Sequence, residues 1–305
     1  MHYILGRVLA TKYPTLFQDY SPQQIYVVST DLNRTIMSAY SQLYGIYQGK
    51  GGAYPDNFPV GDLSRPPFAD QDLVNKSMDK VANMESYLPF NVQPVPVHTL
   101  TDAEDQLLAE RPESCPILNS WTDSMFDDKK VLDMMGVLND TIDTLKQRGY
   151  VVNTSWDMWN LGDTLECNYA QNLSYPYEIE YQDSVYNASK FFFEWFTMYM
   201  FSGTYNNTAL YQYHLLTRIY NDLNSFRTGK TSLKAELFSA HDTTVSGLLN
   251  AFNITTPDCL YANWKAYASG KDEAPYPNCI YPSFASQTLF EFYNTTEDPY
   301  LQFYY

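Results

Sequence analysis

The chain has 305 residues, 45% of them hydrophobic, and a formal charge of −16. That length and apolar share fit one large domain or a core domain with a smaller insert. The carboxylate excess excludes a nucleic-acid backbone binder and a binder of anionic membrane surfaces, both of which need Lys and Arg in surplus; self-repulsion eases as carboxylates protonate, which suits an acidic compartment.

Residues 1–17 carry Arg7 and Lys12 with no apolar stretch between them, so they are not a signal peptide. Residues 25–29 (IYVVS) form a short β-branched and aromatic run and predict a buried strand. Thr30 and Asp31 follow as capping types, then Ile36, Tyr40, Leu43 and Tyr47 at helical spacing. Residues 49–59 and 64–68 are rich in Gly and Pro and predict a long loop. Residues 95–98 predict another short strand. Residues 101–231 are mainly helical in pattern, with one helix over about 128–148, closed by Gly149, and another over about 208–225. Residues 191–200, the most apolar stretch, carry Glu194 and predict an amphipathic core helix, because no run approaches the roughly 18 apolar residues that cross a bilayer. The strand-to-helix grammar then returns. Residues 236–240 (ELFSA) are followed by His241, Asp242 and Thr243, and then by Val245, Leu248, Leu249 and Phe252. Residues 280–305 alternate loosely and predict a hairpin whose second strand reaches the end of the sequence, from which a further C-terminal segment is expected.

Two strands that each run into a helix N-terminus define an α/β fold interrupted by a helical insert. Ligands of such folds bind where these turns meet, and helix N-termini attract anions. Arg34 in the first turn of one helix opposes the helix dipole, and His241 stands at the lip of the other. Cations placed at the positive ends of helices point to an anion between them, and a phosphate suits the planar guanidinium fork. Asp242 beside them is a candidate general acid for a leaving alkoxide. Plainer readings stand next to these: Arg34 as a surface residue paired with Asp31, His241 as a polar turn residue, and Asp242 as a helix cap. His2, His98 and His214 carry no such context.

Nine N-x-S/T acceptors occur, at Asn33, Asn75, Asn139, Asn153, Asn172, Asn187, Asn206, Asn253 and Asn294, against roughly three expected by chance. A secretory body without a secretory start predicts that an N-terminal segment precedes Met1. The cysteines Cys115, Cys167, Cys259 and Cys279 show no zinc spacing and, in a secreted chain, predict disulfides. Four cysteines allow three pairings.

Residues 29–39 (STDLNRTIMSA) and 239–248 (SAHDTTVSGL) resemble two motifs of the histidine acid phosphatases, and residues 1–6 (MHYILG) and 93–99 (QPVPVHT) resemble two more. The likeness runs in order along the chain and is nearest the lysosomal and prostatic type. It implies a histidine phosphatase fold, with an α/β core from residues 1–100 and 232–305 and a helical insert from residues 101–231. It implies a phosphomonoesterase working at acid pH without metal or cofactor, on small phosphate monoesters, in a secreted or lysosomal glycoprotein. A homodimer is left open.

Carried over by motif, Arg34 and His241 hold phosphoryl oxygens and Asp242 is the proton donor. The family's nucleophilic histidine lies in an RHGxRxP motif that is absent from all 305 residues, so two of the five phosphate-holding cationic residues remain and the chain by itself is expected to be inactive. An incomplete copy of a longer chain is the expected cause; a degenerate fragment, or a site completed by another chain, is the alternative. The rival function is a secreted glycoprotein that binds phosphate-bearing ligands without turnover. The resemblance also implies a Cys167–Cys279 disulfide, a Cys115 partner beyond Tyr305, no counterpart for Cys259, and an unused sequon at Asn33.

Overall fold

The structure, a computed structural model, describes residues 1–51, 72, 76, 91–101, 104–109, 115–173, 179–180, 183–203, 205–295 and 299–305. The expected loop over 49–68 and the Asn75 sequon lie almost wholly outside these residues. Two compact units are present: residues 1–101 with 229–239, and residues 102–228 with 240–305.

The first unit is built on α1 (His2–Lys12), β1 (Ile25–Ser29), α2 (Asn33–Tyr47), β2 (His98–Thr99) and, from the returning chain, β3 (Ala235–Ser239). The sheet order is β2-β1-β3, all parallel, with Ile25 opposite Ala235 and Ser29 opposite Ser239. The third strand falls one residue earlier than predicted, and β2 begins where a strand over 95–98 should end. Pro94 and Pro96 explain the second shift, because neither can donate to a ladder. Val95 is buried in the core nonetheless. That core joins Ile25 and Val27 of the sheet to Leu9, Ala39, Leu43, Ile46 and Tyr47 of the two helices.

The helices α1 and α2 cross at two glycines. A Cβ on Gly6 would sit 2.0 Å from the Gln42 carbonyl oxygen, and one on Gly45 would sit 2.1 Å from the Tyr3 carbonyl oxygen. Both obstacles are backbone, so neither can swing aside. Gly45→Ala is therefore expected to destabilise the protein by roughly 1–3 kcal/mol, although alanine favours a helix by about 1 kcal/mol over glycine. Urea unfolding measures it, and an alanine variant as stable as the parent would contradict this close crossing.

The second unit is helical and contains the hairpin. In order it runs α3 (Pro116–Met125), α4 (Lys129–Val137), α5 (Asn139–Gln147), α6 (Ser155–Ala170), α7 (Ser184–Ser202), α8 (Tyr205–Tyr211), α9 (Tyr213–Arg227), α10 (Asp242–Ala251), α11 (Pro257–Ala268), β4 (Leu289–Tyr293) and β5 (Tyr300–Tyr304). The helix expected over 128–148 is two helices. Leu138 leaves helical geometry at φ −97° and ψ 11°, and its N–H is shared between the Met134 and Met135 carbonyls. Gly136 weakens the helix just before this point. The bend lets Val131, Met134, Leu138, Ile142 and Leu145 all reach one core, so the apolar period survives the break. Gly149 does close the second half, at φ +93°. The helix expected over 208–225 is likewise divided, at Gln212 (φ −93°, ψ 3°).

The α7 helix differs from its predicted amphipathic form. Phe192, Trp195, Phe196 and Met198 are fully buried, and Phe191, Phe193, Tyr199 and Met200 nearly so. A helix with apolar residues on nearly every side belongs inside a domain or a membrane, and here other helices of the unit enclose it. None of the described helices is long and apolar enough to cross a membrane. Residues 240–305 belong to the same compact unit as this helix, whereas the expected boundaries assign 232–305 to the α/β core. The reason is local: α10 and α11 both pack on α7.

The disulfide inferred from resemblance is corrected. Cys279 bonds Cys259, while Cys167 and Cys115 are free thiols. Cys259 lies in the first turn of α11, where Thr256 caps its N–H, and its Cα is 6.2 Å from that of Cys279. That spacing suits a bridge. Burial, followed by the carboxylates of Asp163, Glu166 and Asp242, pushes the Cys167 thiol above its usual range, which favours an inert, protonated sulfur.

Candidate active site

Within the first unit, the turn from β1 into α2 is held by hydroxyl groups. The Thr30 and Thr35 hydroxyls meet at 2.8 Å, and the Thr35 hydroxyl also lies within bonding distance of the Thr30 and Leu32 carbonyls. Ser29 Oγ donates to the Thr30 carbonyl at 2.9 Å. From β3, Ser239 Oγ donates to the Thr35 carbonyl at 2.8 Å, and the Thr30 N–H donates to the Ser239 carbonyl at 3.1 Å. Ser29, Thr30 and Thr35 are buried, so this polar turn is satisfied internally. Neither Thr30 nor Asp31 caps the helix as predicted; the cap position falls to Leu32, which offers no side-chain acceptor. The first-turn N–H groups of α2 thus have no side-chain cap.

Arg34 follows directly, exposed in that first turn. Its guanidinium has no ion-pair or hydrogen-bond partner among the described residues, so the plain pairing with Asp31 is not realised. The hydroxyl lattice beneath it fixes the helix start, and the charge stands at the positive end of the helix dipole.

Within the second unit, His241 and Asp242 open α10. His241 is the N-cap residue, in extended geometry and with no side-chain capping bond, and Asp242 is the first helical residue. The reading of Asp242 as the cap is therefore not realised. Its Oδ2 instead accepts a hydrogen bond from the Tyr281 hydroxyl at 2.6 Å. Thr244, one turn in, donates to the Leu108 carbonyl at 3.0 Å and anchors the helix start. Burial, then the charge and hydrogen bond of Asp242, push the Tyr281 phenol well above its ordinary value, so it stays a donor. Nothing in the sequence pattern signals this contact across 39 residues.

The other histidines lie elsewhere. His2 starts α1, where burial and then the N-terminal charge lower its pKa. His98 stacks on Tyr26 at 4.7 Å, and His214 is exposed near the start of α9. Arg34 belongs to one unit and the consecutive pair His241–Asp242 to the other. No cluster of His, Cys, Asp and Glu among the described residues is arranged to hold a metal.

Residues 1–305 match the sequence model of the histidine phosphatase superfamily (branch 2). The chain belongs to that family. Among curated proteins it is similar to the prostatic acid phosphatase of Bos taurus, at 24% identity over 100% of this chain and 66% of that protein. It is also similar to the lysosomal acid phosphatase of Rattus norvegicus, at 25% identity over 91% of this chain and 56% of that protein. A solved phytase structure from D. castellii aligns at 15% identity with a TM-score of 0.46, over 99% of this chain and 56% of that one. The chain thus spans between about half and two thirds of the relatives it matches.

Proposed function

We propose that the protein to which these 305 residues belong is an acid phosphatase that hydrolyses phosphate monoesters through a phosphohistidine intermediate. Arg34 and His241 hold the phosphoryl oxygens, and Asp242 protonates the departing oxygen. The nucleophilic histidine comes from a segment outside the present residues, because no RHGxRxP motif occurs between Met1 and Tyr305. Preorganised cations at equatorial phosphoryl oxygens are the main contribution a protein makes to this chemistry.

The observation that carries the reading is Arg34: an exposed guanidinium in the first turn of a helix, with no partner among the described residues and a fork of donors that matches phosphate. Ser239 ends β3 level with Ser29, and in the chain His241 follows Ser239 by two residues. The helical insert over residues 101–231 is proposed as the part that shapes substrate choice. A secreted or lysosomal setting is supported by the sequons and by the names of the relatives.

The test is an assay of p-nitrophenyl phosphate at acid pH. Residues 1–305 alone are expected to be inactive, and the protein extended at its N-terminus to be active, exported and sensitive to endoglycosidase. Turnover by residues 1–305 would overturn the assignment of the nucleophile. An inactive extended protein that still binds phosphate would favour the rival, a phosphate-binding glycoprotein without turnover. An extended protein kept inside the cell without glycans would contradict the secretory setting.

A further inference from the structure

The hydrogen bond between Tyr281 and Asp242 joins groups on separate elements, and each side of it is anchored. Tyr281 is 4% exposed, its ring stands edge-on to Phe193 of α7 at 5.8 Å, and Thr197 lies beside its hydroxyl. The backbone leading to it is tied twice: Cys279 is in the disulfide to Cys259, and the Ile280 carbonyl accepts from Thr255 Oγ1 at 3.0 Å. Thr197 is in turn engaged, accepting from Trp159 Nε1 at 2.7 Å and donating to the Phe193 carbonyl at 2.7 Å. Indole can only donate and a hydroxyl has one proton to give. The Thr197 proton goes to the Phe193 carbonyl, and the Tyr281 hydroxyl donates to Asp242 Oδ2. Asp242 itself is exposed at the mouth of α10 and has no capping duty.

We infer that Tyr281 is a positioning residue for the proton donor: it occupies Oδ2 of Asp242 and so fixes Oδ1 as the oxygen that carries and delivers the proton. The inference rests on the reading of Asp242 as general acid. In the step it serves, the P–O bond of the ester breaks, its electron pair stays on the leaving oxygen, and the Oδ1 proton passes to that oxygen while the nucleophilic histidine bonds phosphorus. Asp242 is left as a carboxylate. A phenol donates a stronger hydrogen bond to a carboxylate than to a carboxylic acid, so the Tyr281 bond tightens as the proton leaves. Its benefit therefore grows with how much proton transfer the leaving group requires. A p-nitrophenolate departs almost unaided; an alkoxide must be protonated.

The test compares kcat/KM of the full-length protein for p-nitrophenyl phosphate and for glycerol 2-phosphate, with Tyr281→Phe and Asp242→Asn beside the parent. Tyr281→Phe keeps the ring against Phe193 and is expected to keep the thermal melt. It is expected to lower kcat/KM for the alkyl ester about tenfold, a part of what a general acid contributes, and to leave the aryl ester within about twofold. Asp242→Asn is expected to discriminate in the same sense and more strongly. If Asp242→Asn slows both esters equally, or the full-length protein is inactive, the general-acid reading falls and this inference with it. If Asp242→Asn discriminates and Tyr281→Phe does not, the positioning role alone is overturned. Should Tyr281→Phe not fold, a crystal structure of the full-length parent decides: Tyr281 Oη on Asp242 Oδ2 supports the role, and a Tyr281 turned away from Asp242 contradicts it.

Discussion

Replacing Arg34 with alanine in the full-length protein is expected to lower kcat/KM for phosphate monoesters by roughly 10²–10³-fold, the loss typical of one preorganised donor to developing transition-state charge. The size follows from geometry. The side chain sits on a helix start that Thr35 and Ser239 tie from both sides. Stability should hardly change, since the guanidinium is exposed and bonds nothing described. Arg34→Lys is expected to recover only part of the activity: it restores the charge but not the planar fork. Steady-state kinetics with a parallel melt separate the two effects. An Arg34→Ala protein with unaltered kcat/KM would remove the residue from the site.

The second large effect concerns stability. On α7, Lys190 Nζ lies 2.8 Å from Glu166 Oε2 of α6 and 2.7 Å from Glu194 Oε1, while the Tyr186 hydroxyl bonds the other Glu166 oxygen. Lys190→Ala leaves two poorly solvated carboxylates facing each other. Breaking a fully buried pair costs about 3–5 kcal/mol. The Lys190 side chain is 35% exposed, so roughly 2–3 kcal/mol is the expected loss in urea unfolding at neutral pH.

The pH dependence has a definite sign. Burial raises the Glu194 pKa against the opposing pull of Lys190. A carboxyl whose folded pKa is raised holds its proton more tightly when folded, so acid favours the folded state at this site and rising pH disfavours it. Without Lys190 the Glu194 carboxylate is easier still to protonate, and the deficit is expected to shrink as the pH falls toward the ordinary glutamate range. A deficit that widened in acid would contradict this description of the cluster.

The two strand-to-helix turns were legible because their signals are local: a β-branched run ending in Ser29 and a short run through Leu237 and Phe238 ending in Ser239, each followed by apolar residues at helical spacing. The terminal hairpin was legible for the same reason, and it forms over Leu289–Tyr293 and Tyr300–Tyr304. The breaks at Leu138 and Gln212 were not, because the apolar period continues across each bend and periodicity cannot register a kink that preserves it. The α7 helix hides its all-round burial behind Glu194, whose charge suggests a wet face until Lys190 is seen to cover it.

Contacts between distant segments left no trace in the sequence. Tyr281 carries no motif, and only folding sets its hydroxyl on Asp242. The family pattern pairs Cys279 with Cys167, whereas Cys259, in the first turn of α11, is the cysteine bonded to it. Arg34, His241 and Asp242 were named from motif and position, and the structure seats each at the start of a helix.

A crystal structure of the full-length protein soaked with orthovanadate tests the central claim most directly. The expected result is one oxyanion bonded by the Arg34 guanidinium and the His241 imidazole together, at charge-assisted distances of about 2.7–2.9 Å, with Asp242 facing its apical oxygen. An oxyanion held by other residues, with Arg34 and the 241–242 pair facing separate surfaces, would contradict it.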